Sequence, residues 1–151
     1  IFVHVPDAGQ IAVVAVASGK QVATWALRGA RSNFPMAFDN EAKKVIVAFR
    51  TPAKLMVFGA QDGHVAATLD TCGDADDVFA DPKRHRLYVS CGEGFIDIFE
   101  TSAAGYDRIS RISTVQGART SFLVAELDRL FLAVRATRSE PAAVWVFKLQ
   151  P

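Results

Sequence analysis

Short apolar runs separated by turn-forming residues dominate the chain. The run at residues 45–49 follows Asp39 and Asn40 and is followed by Thr51 and Pro52. The runs are rich in β-branched and aromatic residues, whereas the 3.6-residue periodicity of an amphipathic helix is hard to find. The pattern therefore predicts an all-β protein built from short strands.

The predicted strands recur at a fixed spacing. One strand type begins at residues 1, 45, 87 and 130, in steps of 44, 42 and 43 residues. A second type follows each of these about ten residues later. A third type occupies residues 19–25 and 63–69, with a weaker copy at 106–112, and a fourth precedes the first type at residues 33–38, 77–80 and 121–125.

Four short strands in a unit of about 43 residues are typical of one β-propeller blade. The blades are predicted at residues 1–28, 33–71, 77–114 and 120–149, with fourteen strands in one partial domain spanning residues 1–151. A ring of seven such blades needs about 300 residues. We therefore expect half of a seven- or eight-bladed ring, completed by the missing N-terminal half of a longer protein or by a second copy of the chain.

Two segments resemble a known family. Residues 78–90, VFADPKRHRLYVS, are similar to the SPDGKRLYVTN core of YVTN-type bacterial propellers, and residues 17–25, ASGKQVATW, resemble that family's TGKVVATI ending. No copy has the full YVTN tetrapeptide. In that family an acidic residue usually follows the third strand; the four repeats have Ala15, Gly59, Glu100 and Lys148 at this position. The Trp-Asp dipeptide of WD40 blades and the Gly-Gly dipeptide of kelch blades do not occur in the sequence. The resemblance implies the propeller fold and says little about function.

Composition and charge exclude several function classes. Half of the residues are hydrophobic, 22% are charged, and the net charge is +1, which is typical of a globular domain without an extended basic surface. We therefore expect no nucleic-acid partner. The longest apolar run, residues 11–17, is too short for a membrane span. No nucleotide-binding loop or other cofactor motif occurs, so no cofactor is expected, and no residue is assigned a catalytic role.

Loop residues give the candidate binding site. In a blade whose strands run a to d outward from the axis, the d-to-a and b-to-c loops lie on one side, here called the loop face. The motif Gly-Ala-Arg occurs there at residues 29–31 and 117–119, two repeat lengths apart. The predicted ligand-binding residues are Arg31, Asn33, Asp74, Asp76, Asp77, Arg119 and Ser121. The two arginines could clamp a carboxylate or phosphate. Alternatively, Asp74 or Asp76 pairs with them and joins adjacent blades.

The acidic residues also raise the question of a metal site. Asp74, Asp76 and Asp77 could bind Ca²⁺, but the twelfth position from Asp74 is His85, which does not fit an EF-hand. A solvated, turn-forming acidic loop explains the cluster better, so no metal site is predicted.

The two cysteines, Cys72 and Cys91, end neighbouring strands on the same face. They form either a disulfide or two buried thiols, and a Cα separation beyond about 7 Å would exclude the bridge. A disulfide would support a periplasmic or extracellular location.

The leading functional prediction is a non-enzymatic binding or scaffold module, located in the periplasm or outside the cell. Its loop face would present charged residues to a protein partner or a small anionic ligand. Two alternatives follow from similar propellers: a lactonase-like metal-dependent hydrolase, and an accessory propeller of a redox dehydrogenase.

Overall fold

The computed structural model describes residues 1–32 and 35–150, which form fourteen strands in four antiparallel sheets. The first sheet contains β1 (Phe2–Val5), β2 (Gln10–Val14) and β3 (Gln21–Ala26). The second contains β4 (Met36–Asp39), β5 (Lys44–Arg50), β6 (Ala53–Gly59) and β7 (Val65–Asp70). The third contains β8 (Ala75–Asp81), β9 (Arg86–Cys91), β10 (Phe95–Ser102) and β11 (Gly105–Ser113). The fourth contains β12 (Ser121–Val124), β13 (Arg129–Val134) and β14 (Ala143–Lys148).

Within each sheet the strands pair in chain order, so every sheet is an antiparallel meander. The second and third sheets have four strands, and the first and fourth have three. Three single-turn 3₁₀ segments connect strands, at Pro6–Ala8, Pro82–Arg84 and Ala125–Leu127. This arrangement confirms the predicted all-β fold: the chain is a partial β-propeller, and the sheets are its four blades.

The core lies between successive blades. Val45, Val47 and Phe49 of β5 pack with residues of the first blade, while Ile46 and Ala48 of the same strand pack with residues of the third. All five are fully buried or nearly so. Because both faces of a middle blade are covered, the central strands read as continuous apolar runs rather than as alternating ones.

The two outward-facing sheets differ from the middle blades. Val144 and Val146 of β14 are exposed, as are Phe122 of β12 and Val3 of β1. In a closed propeller these faces are the ones that a neighbouring blade covers. None of the described segments is a helix long and apolar enough to cross a membrane.

Candidate functional site

The linker between the second and third blades is fixed by a disulfide. Cys72, which follows β7, is joined to Cys91 at the end of β9, with the two Cα atoms 5.8 Å apart. This separation lies inside the limit of about 7 Å that the bridge requires. Both cysteines are almost completely buried. The backbone of the linker is therefore covalently attached to the blade that follows it.

A buried carboxylate holds the same linker by hydrogen bonds. Asp97 in β10 has no exposed surface, and its Oδ2 accepts hydrogen bonds from the backbone N–H of Cys72 (2.9 Å) and the hydroxyl of Thr71 (3.2 Å). Its charge is paired with Arg111 of β11, whose Nε and Nη2 donate to the two carboxylate oxygens at 2.7 and 2.8 Å. The hydrogen bonds to Asp97 raise the pKa of Arg111. Two-point pairing of this kind fixes the orientation of both groups.

Sequence reasoning missed Asp97, although a signal was present. A single acidic residue stands between Ile96 and Ile98, in the middle of an apolar strand. A charge at such a position is buried and must be paired.

The charged residues of the loop face are largely paired with one another. Asp74 Oδ1 lies 3.2 Å from Arg50 Nη1, and Asp74 Oδ2 accepts a hydrogen bond from Arg119 Nη1. Asp76 is 2.5 Å from Arg50 and 3.8 Å from Arg119. We call these four residues the rim cluster. The hydrogen bond to Asp74 raises the pKa of Arg119. Because Arg50 ends a strand of the second blade and Arg119 precedes the fourth, the rim cluster connects three blades.

Arg31 and Arg119 have different surroundings on the loop face. Arg119 belongs to the rim cluster, and the second arginine of that cluster is Arg50, which the sequence analysis did not single out as a ligand-binding residue. Arg50 extends from the end of β5 and also donates from Nε to the backbone oxygen of Ala75 at 2.9 Å. Repeat spacing equated Arg31 with Arg119, but it could not show that Arg50 crosses to the next blade.

Arg31 instead lines a cleft between the first and second blades. The cleft has a volume of about 840 Å³ and is bordered by Pro6, Asp7, Leu27, Thr51 and other loop residues. The Arg31 backbone is held in place because its N–H donates to the Thr51 carbonyl oxygen at 2.8 Å. Its side chain makes no ion pair with any residue in 1–32 or 35–150. Asn33, predicted to lie beside it, is outside the described residues.

Asp77 and Ser121 meet between the third and fourth blades. The backbone N–H of Ser121 donates to Asp77 Oδ2 at 2.6 Å, and the Ser121 hydroxyl is 2.7 Å from the hydroxyl of the buried Ser90. Burial raises the pKa of Asp77, and the hydrogen bonds from Ser121 act in the opposite direction. This contact joins the first strands of two blades.

The acidic residues are not arranged as metal ligands. In the part of the chain that the structure describes, no three His, Cys, Asp or Glu side chains are close enough together to hold a metal ion. Asp74 and Asp76 are engaged by arginines and Asp77 by Ser121.

A second ionic network lies at the opposite ends of the blades. Arg84 bonds to the buried Asp81 at 2.9 Å and also to Asp128, which accepts a further hydrogen bond from Lys83 at 2.9 Å. The hydrogen bonds from these two cations lower the pKa of Asp128 to about 2, and the bond from Lys83 has the larger effect. This network connects the third blade to the fourth.

Comparison with known proteins supports the fold and nothing finer. No protein-family model and no curated protein matches the sequence. Among solved structures, hydrazine synthase from Kuenenia stuttgartiensis is similar over 97% of this chain and 42% of its own, with a TM-score of 0.83 and 16% identity. The Pan2 WD40 domain of Neurospora crassa is similar over 94% of this chain and 44% of its own, with a TM-score of 0.71 and 16% identity. A candidate 6-phosphogluconolactonase from Bacteroides fragilis is similar over 76% of this chain and 36% of its own, with a TM-score of 0.65 and 17% identity.

These likenesses place the chain among β-propellers. Each is below 20% identity, so each shows the fold alone. The chain spans about two fifths of the length of the solved structures it resembles.

Proposed function

We propose that the protein is a non-enzymatic binding module that takes an anionic group, from a small ligand or a protein partner, in the cleft beside Arg31. The supporting observation is the contrast between the arginines of the loop face. Arg50 and Arg119 are paired with carboxylates, whereas Arg31 lines an open cleft and has no ion-pair partner among the described residues. A guanidinium group presented by a rigid scaffold is suited to binding a carboxylate or phosphate through two hydrogen bonds.

The rim cluster has a supporting role in this proposal. It connects the loops of three neighbouring blades, so these loops keep a fixed geometry at the loop face. A preformed surface loses less conformational entropy on binding than a flexible one.

We also propose a periplasmic or extracellular location and a YVTN-type repeat family. The location is supported by the Cys72–Cys91 disulfide, because such bridges persist mainly in oxidising compartments. The family is supported by the segments at residues 17–25 and 78–90.

The two enzyme-related alternatives have weaker support. A lactonase-like metal site needs carboxylates that are available to the ion, whereas Asp74, Asp76 and Asp77 are engaged by arginines and Ser121. The role beside a redox dehydrogenase rests on the sequence resemblance alone.

The proposal is tested by isothermal titration calorimetry, in which the full-length protein is titrated with citrate and, separately, with inorganic phosphate. Arg31→Ala should abolish saturable binding of whichever anion the wild type binds. Lys20→Ala, which removes one cation from a loop at the opposite ends of the strands, is the matched control and should leave binding unchanged. Equal binding by wild type and Arg31→Ala would refute the assignment of the cleft.

A further inference from the structure

A second cavity lies between the third and fourth blades, away from the loop face. It has a volume of about 180 Å³. Its walls are mostly apolar and include Ile96, Ile98, Ile112, Leu130 and Phe147. A closed apolar cavity of about 150 Å³ is large enough for a single benzene ring. The space therefore suits one ring or a chain of about six carbons.

Three of the polar side chains that line this cavity, Arg86, Tyr88 and Lys148, can donate hydrogen bonds. Tyr88 is 1% exposed, and no described residue accepts a hydrogen bond from its hydroxyl. Arg86 and Lys148 also line the cavity, and a guanidinium or ammonium group can only donate. Arg86 Nη1 already donates to the backbone oxygen of Gln150 at 2.8 Å. The tyrosine hydroxyl is thus a buried donor beside two cations, in a place where an unmatched donor is costly.

We propose that this cavity binds a small monoanion with an apolar body, such as a monocyclic or short-chain carboxylate. The carboxylate accepts the hydrogen bond from Tyr88 beside the positive charges of Arg86 and Lys148, and the apolar body lies among the isoleucine, leucine and phenylalanine side chains. Such a ligand satisfies the buried donor and removes its own apolar surface from water.

A buried water is the rival explanation. Asp81 Oδ1 is buried without a hydrogen-bond partner, and Asp81 is close enough to raise the pKa of Tyr88, although burial is the larger cause. A single water could accept from Tyr88 and donate to Asp81. The two explanations differ in whether an added carboxylate enters the cavity.

The test uses the full-length protein with benzoate as the probe and benzyl alcohol as its uncharged counterpart. We expect saturable binding of benzoate with a dissociation constant on the order of 0.1–1 mM, and at least tenfold weaker binding of benzyl alcohol. Tyr88→Phe removes only the hydroxyl and should weaken benzoate binding about tenfold. The chain has two tyrosines, so Tyr106→Phe is the matched control and should bind as the wild type does.

Three results would overturn the proposal. One is the absence of saturable benzoate binding at about 10 mM. The second is equal affinity of Tyr88→Phe and wild type, or of benzoate and benzyl alcohol. The third is a crystal structure of the full-length protein, soaked with 4-bromobenzoate, in which the cavity holds only a water between Tyr88 and Asp81 or is filled by the protein's own side chains.

Discussion

Replacing Asp97 with asparagine tests how strongly the buried carboxylate holds the third blade together. The substitution keeps the shape of the side chain but exchanges one oxygen for an NH₂ group. Both oxygens of Asp97 accept hydrogen bonds. One accepts from Arg111 Nε, and the other accepts from Arg111 Nη2, the Cys72 N–H, the Thr71 hydroxyl and, at 3.4 Å, Arg108 Nη1. In either orientation, the new NH₂ group of Asp97→Asn therefore faces another donor.

The expected loss of stability follows from the contacts. In either orientation at least one donor loses its acceptor, at a cost of about 1 kcal/mol, and the charge-assisted pairing with Arg111 is lost, at about 1.5–3 kcal/mol. The Arg111 side chain is 35% exposed and can be rehydrated, which reduces the second contribution. We expect Asp97→Asn to lower the free energy of unfolding by about 2–3 kcal/mol, and the melting temperature by about 5–10 °C.

Urea unfolding monitored by circular dichroism, together with calorimetry, measures both quantities. The matched control is Asp70→Asn, because Asp70 is 79% exposed and pairs only with Lys54 in the described part of the chain. This control should unfold close to the wild type. A loss below about 1 kcal/mol for Asp97→Asn, or an equal loss for both variants, would show that the buried carboxylate does not hold the linker.

The other predictions concern the disulfide, one turn and acid stability. Reduction, or the double substitution of Cys72 and Cys91 by alanine, should lower stability by about 3 kcal/mol for a sequence separation of 19, and reductant should have no further effect on the double variant. Gly63→Ala should cost about 1–3 kcal/mol more than Gly19→Ala. Both glycines have a positive φ, but only at Gly63 would the new Cβ overlap a side chain, the ring of Trp25. Equal melting temperatures of the two variants would contradict this. Because the pKa of Asp128 is lowered to about 2, its ion pairs stabilise the protein above pH 4 and are lost as the pH falls towards 2. Asp128→Asn should therefore show less acid destabilisation in that range, and an acid-unfolding curve parallel to that of the wild type would disprove the pairing.

Repeat spacing predicted the fold because it depends on local signals. Each strand of a blade pairs with its neighbour in sequence, so the runs and turns specify the meander directly. The alternating burial of Val45 and Ile46 towards opposite blades explains why β5 is apolar at every position from Val45 to Phe49. The same spacing also placed Cys72 and Cys91 at the ends of strands on the same face.

The contacts between blades could be predicted only in part. Repeat spacing made Arg31 equivalent to Arg119. It could not show that a long side chain reaches residues of the next blade, as Arg50 does towards Asp76. Within the third blade, Asp97 was recognisable as a charge inside an apolar strand, yet its partners Arg108 and Arg111 lie on an exposed strand with no distinctive pattern. Such pairs depend on side-chain geometry across the sheet, which strand periodicity does not contain.

The roles of the cleft and the rim cluster are tested most directly by comparing Arg31→Ala with Arg119→Ala in one experiment, the thermal melting of the full-length protein with and without citrate. Without citrate, Arg31→Ala should melt as the wild type does, but it should lose the stabilisation that citrate confers. Arg119→Ala should melt at a lower temperature because the rim cluster is broken, and it should keep the citrate-induced increase. If citrate stabilises Arg31→Ala as strongly as the wild type, or if only Arg119→Ala loses that increase, the division between a structural rim cluster and a binding cleft is wrong.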